Sequence, residues 1–280
     1  MPSQHESTQQ QRGEAFRALH QRDGLFVLPN PWDAGSAKML AHLGFEALAS
    51  TSAGLAFTLG RPDAEGAVSR EEALANARAI IEATPLPVAA DLENGYGDEP
   101  EACAETIRLA AACGLVGGSI EDATGRPDTP IYPLELAVER VSAAVQAARA
   151  LPFPFTLAAR AENLLHGRYD LDDTIRRLVA FAEAGADVLY APGLKTREEI
   201  AAVVSAVAPR PVNVLVGSQA LQLNLEELAE LGVKRVSVGS NLARVAFGAF
   251  FSAAEALAKG DLTLMGRAMP FDRINQLFRG

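Results

Sequence analysis

The sequence predicts an α/β protein, a (β/α)8 barrel of the TIM type with extra C-terminal helices. Two observations carry this. Eight short runs rich in Val, Leu and Ala are each followed by a stretch with the polar and apolar spacing of an amphipathic helix. Several helical stretches then close at a glycine just before the next apolar run, as in Leu43-Gly44-Phe45, Ala112-Cys113-Gly114, Ala184-Gly185-Ala186 and Leu231-Gly232-Val233. Glycine stops a helix because it adopts the left-handed conformation without a side-chain clash.

The candidate strands are Leu25–Asn30, Ala47–Ser52, Pro87–Glu93, Gly117–Asp122, Phe155–Arg160, Asp187–Pro192, Pro211–Val216 and Arg235–Ser240. Runs apolar on both faces and joined by helices indicate a parallel sheet. Eight such units suit closure into a barrel. An open doubly wound sheet would carry a glycine-rich phosphate loop after its first strand. Here the first strand ends in Leu28-Pro29-Asn30-Pro31-Trp32-Asp33. No linker or repeat interrupts the chain, so one domain over residues 1–280 is expected. Residues 241–280 supply the C-terminal helices.

Composition narrows the function. With 49% hydrophobic and 21% charged residues over 280 positions, the chain can bury a large core. A net charge of −10 argues against nucleic acid, which needs clustered Lys and Arg. It leaves room for a small anionic substrate, since a few buried cations reverse the local field. Cys103 and Cys113 are too few for a disulfide framework, and about ten residues of helix hold them roughly 15 Å apart. The Gln/Ser-rich start lacks the apolar core of a signal peptide, and no run reaches membrane-spanning length. A cytoplasmic protein with no membrane partner is expected.

The catalytic face of a barrel lies at the C-terminal ends of its strands. Strand two ends in Thr51-Ser52, and its loop reaches Arg61-Pro62-Asp63. Strand three ends in Asp91-Leu92-Glu93, strand four in Glu121-Asp122 and strand five in Arg160-Ala161-Glu162. Asp91 and Glu93, two apart on a strand, are expected to share a face. Like charges there need a shared cation or proton. An oxygen-only set suits a hard ion, Mg2+ or Mn2+. The bland alternative is a capping and salt-bridge pair at a strand end. The histidines, His5, His20, His42 and His166, show no zinc spacing. An inward-facing Arg160 must be paired, and Glu121 or Glu162 could serve as structural mates.

At these residues the chain resembles the isocitrate lyase / phosphoenolpyruvate mutase superfamily, over about Phe16 to Phe278. The most specific parts are Ala90-Asp91-Leu92-Glu93-Asn94-Gly95-Tyr96-Gly97, similar to the family's Asp-x-Asp-x-Gly-Tyr-Gly, and Ser119-Ile120-Glu121-Asp122. Leu59 to Asp63 and Ala159 to Glu162 support them. The resemblance implies that Asp91 binds Mg2+ directly, with Asp63, Glu93 and Glu121 coordinating it or holding its water shell. It implies that Thr51, Ser52 and Ala53 meet a substrate carboxylate, that Arg160 binds the 2-oxo acid moiety, and that Arg244 is a second carboxylate-binding arginine. Arg160, Glu121 and Asp63 are then the catalytic set.

The shared chemistry of that superfamily passes through the enolate of a 2-oxo acid, stabilised by Mg2+. The implied assembly is a tetramer, or a dimer, with a swapped C-terminal helix. One departure bears on the reaction. The loop after strand four runs Ala123 to Pro133 without the Lys-Lys-Cys-Gly-His of the isocitrate and methylisocitrate lyases, and without the Lys-Thr-Asn pattern of the phosphonopyruvate enzymes. That loop is a candidate lid, with Arg126, Asp128, Thr129 and Tyr132 as its chemically capable groups. The reading favours a Mg2+-dependent lyase on a small 2-oxo or 2-hydroxy carboxylate. The alternatives are C–P chemistry on phosphonopyruvate, or a 2-oxo acid binding protein with little catalysis.

Overall fold

The computed structural model describes residues 8–217 and 221–279. His5 and part of the polar N-terminus lie outside the described residues. All eight expected strands form: β1 (Phe26–Leu28), β2 (Leu48–Ala49), β3 (Val88–Asp91), β4 (Gly117–Glu121), β5 (Thr156–Arg160), β6 (Val188–Tyr190), β7 (Val212–Leu215) and β8 (Arg235–Ser237). They are parallel, in the order β1-β8-β7-β6-β5-β4-β3-β2. Observed strands are shorter than the sequence runs. The last residues of several runs leave the ladder to cap helices or turn into the site, as Thr51 does by capping the next helix.

Helices α1 (Gln9–Gln21), α2 (Ala34–His42), α3 (Ser52–Thr58), α4 (Arg70–Glu82), α5 (Pro100–Ala112), α6 (Leu134–Arg149), α7 (Leu171–Glu183), α8 (Arg197–Val207) and α9 (Leu225–Glu230) surround the strands. After β8 come α10 (Asn241–Ala258), a short 3-10 turn and α11 (Phe271–Phe278). Local chemistry sets the starts. Ser69, Thr196 and Asn224 each accept from the backbone three residues on, and Glu72, Glu199 and Glu227 reach back to the cap. The main core fills the layer between barrel and helices with small residues of α5 and α6 and large ones such as Ile107, Leu157 and Phe181.

The pairing between β1 and β2 is reduced to one backbone bond, Ala49 N to Pro29 O at 3.1 Å. A buried side chain completes the closure. Asn30 Nδ2 donates to the carbonyls of Ala49 (3.1 Å) and Ser50 (3.2 Å). Its Oδ1 accepts from the amides of Val238 (3.0 Å) and Gly239 (2.9 Å). One amide thus satisfies four backbone groups from both neighbouring strands.

Helix α1 plugs the N-terminal end of the barrel. Phe16 and Leu19 pack with Phe26, Leu28, Ala47, Ala89 and Val116. This close approach needs Gly117, because a Cβ there would lie 2.7 Å from the Phe16 ring. His20 sits beside Phe16 and Phe26 in edge-on contacts at 4.8 and 4.9 Å. Its Nδ1 lies 2.8 Å from Phe16 O, and its Nε2 faces Arg235 Nη1 at 3.5 Å. Burial, then the charge of Arg235, pushes its pKa down to about 3.

Two outcomes follow for stability. Asn30→Ala strands four backbone groups and should cost about 3 kcal/mol in urea unfolding. An unchanged midpoint would show that closure does not depend on this amide. The unfolded chain protonates His20 near pH 6.5, while the native chain holds it neutral down to about pH 3. Its contribution is therefore lost as pH falls through that window and is constant above it. Between pH 6.5 and 5, wild type should lose about 2 kcal/mol more than His20→Gln. Equal losses in urea titrations at the two pH values would refute this.

Candidate active site

The C-terminal ends of β2 to β5 bring the acids and the cation together around Arg160. Its Nη1 donates to Asp91 Oδ1 at 2.8 Å, its Nε to Glu162 Oε1 at 2.8 Å, and its Nη2 pairs with Glu121 Oε2 at 3.2 Å. Register explains the meeting, since Glu121 and Arg160 are direct partners on β4 and β5. The guanidinium lies over the Tyr190 ring, 5.1 Å from its centroid. Ser52 adds two bonds to Asp91 Oδ2, from Oγ at 2.8 Å and from N at 3.3 Å.

Two cavities share lining residues at this cluster. The outer, about 700 Å3, is lined by Asp63, Glu93, Tyr96, Glu121, Arg126 and His166 among others. The inner, about 200 Å3, runs into the barrel past Thr51, Ala53, Asp91, Ser119 and Tyr190. Ser52, Asp63 and Arg160 border both.

Asp91 and Glu93 both reach the site, but not by strand alternation. β3 ends at Asp91, Leu92 turns into the core, and Glu93 is left-handed with φ 47°. Tyr96 is left-handed too, at φ 59°. Such conformations cost about 1–3 kcal/mol each and must be held by their surroundings. Gly95, with φ 79°, passes so close to α5 that a Cβ would meet Cys103 Sγ at 2.9 Å. Arg140 of α6, buried, donates to Gly97 O at 2.6 Å and also to the carbonyls of Asn94 and Asp98. It stacks on Tyr132, 4.2 Å from the ring centroid.

The charges are unevenly compensated. Burial works against the ionised form of Asp91, but Arg160 and Ser52 outweigh it and its pKa is lowered. Asp63 is raised, by burial and then by Asp91. Glu93 is raised to about 7 by burial, Asp91 and Asp63. Glu121 is raised further by burial, although Arg160 opposes this. One guanidinium does not balance these acids.

That imbalance is the test of a metal. The donor set is all oxygen and carries excess negative charge, which fits a hard divalent cation. Among the described residues, no three His, Cys, Asp or Glu side chains form a ready-made cage. Arg160 stands between Asp91, Glu121 and Glu162. The residues fit such an ion by charge and donor type.

Other expected residues fall differently. Thr51 spends its oxygen accepting from Gly54 N at 3.2 Å as the cap of α3. Arg244 is not brought in. It lies one turn into α10, exposed, and its side-chain contact is with Asn241 at 3.4 Å. It borders neither cavity. Asp122 faces away from both and anchors Glu162 N at 2.8 Å and Arg177 at 3.1 Å. The candidate lid is folded onto the body. Ala123 and Ile131 form a bridge, Thr124 Oγ1 donates to Thr129 O at 2.6 Å, and Arg126 pairs with Asp98 at 2.8 Å. Tyr132, buried, donates to Asp98 at 2.5 Å. Sequence reading missed Arg140 and the inner-cavity residues Ser119, Asn213, Arg235 and Ser237. The available signal was polar residues at alternate positions inside apolar strands.

The family model described as phosphoenolpyruvate phosphomutase matches residues 16–258. The chain belongs to the phosphoenolpyruvate mutase / isocitrate lyase superfamily. A Burkholderia cenocepacia structure, provisionally described as a lyase/mutase, is 60% identical over 97% of both chains, with a TM-score of 0.93. An uncharacterized Mycobacterium tuberculosis protein is 32% identical over 92% of this chain and 93% of its own. The structure of 2,3-dimethylmalate lyase, from the same superfamily, is 27% identical with a TM-score of 0.85, over 95% of this chain and 94% of that one. The protein is therefore an enzyme of the carbon–carbon lyase and mutase type that characterises this superfamily.

Proposed function

We propose that the chain, acting as one barrel domain, is a Mg2+-dependent lyase that cleaves the C–C bond one carbon removed from the carbonyl of a small 2-oxo acid, with oxaloacetate-like decarboxylation as the reaction. The observation that carries this is the Arg160 cluster at the mouth of a small inner cavity, beneath a lid whose polar groups are engaged with one another. Relatives point the same way: one is named oxaloacetate decarboxylase, and a phosphonopyruvate hydrolase structure holds oxalate and Mg2+.

Asp91, Glu93, Glu121 and Asp63 would hold the ion. When bound, Mg2+ would draw charge from the substrate's oxygens as the bond breaks. Arg160 binds and orients the 2-oxo acid, and Tyr190 supports its guanidinium from beneath. Arg160 remains protonated throughout, because Glu162, Glu121 and Asp91 outweigh its burial. Ser52 fixes the Asp91 carboxylate so that it does not reorganise during the reaction. In the lid, Arg126 and Tyr132 are tied to Asp98, and Thr124 to Thr129. Aldol cleavage of an isocitrate-like acid needs a general acid and base there. Loss of CO2 from a 2-oxo diacid needs none: the bond to the departing carboxylate breaks, its electron pair passes to the 2-oxo oxygen as an enolate, and the enolate takes a proton from water.

Subunit assembly is the second part of the reading. On α10 and α11, Val245, Phe250, Phe251 and Phe271 are 70%, 71%, 62% and 80% exposed, and Ala243 is the buried residue of α10. So many aromatic side chains on one terminal unit suit a second copy of this chain, with exchanged helices in a dimer or tetramer.

Pyruvate formation should be measured from oxaloacetate, with methylisocitrate, isocitrate and phosphonopyruvate as comparison substrates and enzyme-free Mg2+ as the blank. Oxaloacetate turnover should vanish with a chelator, return with Mg2+, and fall about 100-fold or more in Asp91→Ala. Wild-type turnover in that variant sinks the reading. In light scattering, wild type should be a dimer or tetramer, and Phe250→Asp with Phe251→Asp should shift it toward monomer; a monomeric wild type refutes the assembly.

A further inference from the structure

One side of the outer cavity is built by the turn that follows β5. Beyond Arg160 the chain turns back on itself, with Leu165 N donating to Glu162 O at 2.9 Å and His166 N to Asn163 O at 3.2 Å. Gly167, with φ 72°, ends the turn. Asn163 is fully buried and ties the segment down. Its Nδ2 lies 2.8 Å from Thr174 Oγ1, 3.1 Å from Asp170 O and 3.2 Å from Arg168 O. Leu165 borders both cavities, and His166 borders the outer one, as Arg160 does. The imidazole of His166 is half-buried and has no hydrogen-bond or ion-pair partner among the described residues.

The other titratable groups around the outer cavity are occupied. Asp63, Glu93 and Glu121 are the proposed ligands of the ion, and Glu162 Oε1 accepts from Arg160 at 2.8 Å. Asp98 accepts from Arg126 and Tyr132. Tyr96 keeps its proton, because burial and then the charge of Glu93 push its pKa well up. Glu71 stands at the rim with its side chain 77% exposed. The arginines hold their protons. His166 is therefore the group at this cavity free to give up a proton and take it back. Imidazole also suits that task, since either ring nitrogen can carry the proton. The buried Asn163 fixes its backbone, so the ring is presented to the cavity by a held turn and not by the lid.

We propose that His166 is a catalytic residue that protonates the enolate carbon from the wall of the outer cavity. This rests on the 2-oxo acid reading of the site. The bond to the departing carboxylate breaks and CO2 leaves uncharged, with the electron pair held as the enolate. The imidazolium N–H bond of His166 then breaks, its proton forms the new C–H bond, and the neutral imidazole regains a proton from water. Water alone can complete this step, but a fixed imidazole completes it faster. Run in reverse, neutral His166 removes a proton from the methyl group of pyruvate.

That reverse step gives a test that needs no bond cleavage. Pyruvate is incubated in D2O with the full-length protein and saturating Mg2+, and loss of the methyl proton signal is followed by NMR. Wild type should exchange these protons faster than enzyme-free Mg2+. His166→Gln and His166→Ala should exchange them about tenfold or more slowly, with pyruvate affinity by calorimetry within twofold of wild type. Free imidazole should raise exchange threefold or more in the alanine variant and leave the glutamine variant unchanged. Exchange within twofold of wild type in both variants, affinity falling in step with exchange, or an alanine variant that does not respond to imidazole overturns the proposal. A wild type that binds pyruvate without exchanging its protons also overturns it and spares the 2-oxo acid reading. If wild type binds neither pyruvate nor oxaloacetate, that reading itself falls, and the proposal with it.

Discussion

The guanidinium of Arg160, held between Asp91, Glu121 and Glu162, is the interaction on which the site depends. Each partner comes from a different strand end or the turn beyond it, so the cluster exists only when β3, β4 and β5 are in register. Removing the arginine would leave buried carboxylates unpaired, a loss of about 3–5 kcal/mol. The single guanidinium leaves the crowded acids Asp63, Glu93 and Glu121 with raised pKa values, and a divalent cation would favour their ionised forms. Structure and chemistry thus draw on the same imbalance.

Support for that cluster comes from groups that line neither cavity. Arg140 gathers the carbonyls of the turn that carries Glu93, and Tyr132 covers Arg140 while binding Asp98. Two left-handed side-chain-bearing residues, Glu93 and Tyr96, are tolerated because this frame fixes the backbone on either side. The Tyr96 hydroxyl is buried without a hydrogen-bond partner among the described residues, so the turn carries a further cost. Asp122 and Arg177 do for Glu162 what Arg140 does for Glu93, through a bond to its amide.

The eight strands and the acids at their ends were legible because hydrophobic period and glycine stops are local signals. Asp91, Glu121, Arg160 and Asp63 were found by position alone, at strand ends or in the following loop. Glu93 was expected at the site by alternation, yet it reaches the site through a left-handed turn that sequence period does not encode. Arg244 looked equivalent to the others by its place after β8, but α10 carries it outward. The lid's polar groups could be named but not their mutual engagement, which depends on Asp98 from another loop. Asn30, Asn213 and Arg235 were hidden in apolar runs, and their roles depend on which strands become neighbours after closure.

Two arginines and the acids also divide the barrel electrically. Positive charge lies within the strands, at Arg160 and Arg235, and acids crowd the mouth, where burial and mutual repulsion raise the pKa values of Asp63, Glu93 and Glu121. An anion that approaches Arg160 must pass acids that, once ionised, repel it unless a cation masks them. A divalent ion at the mouth would therefore open the path as well as serve the reaction. A small acid that stops at the mouth gains from Arg160 and from that cation, while a longer polyanion leaves charge beside the acidic rim. On the proposed function, the order of charges along the axis would select for small acids before any lid residue acts.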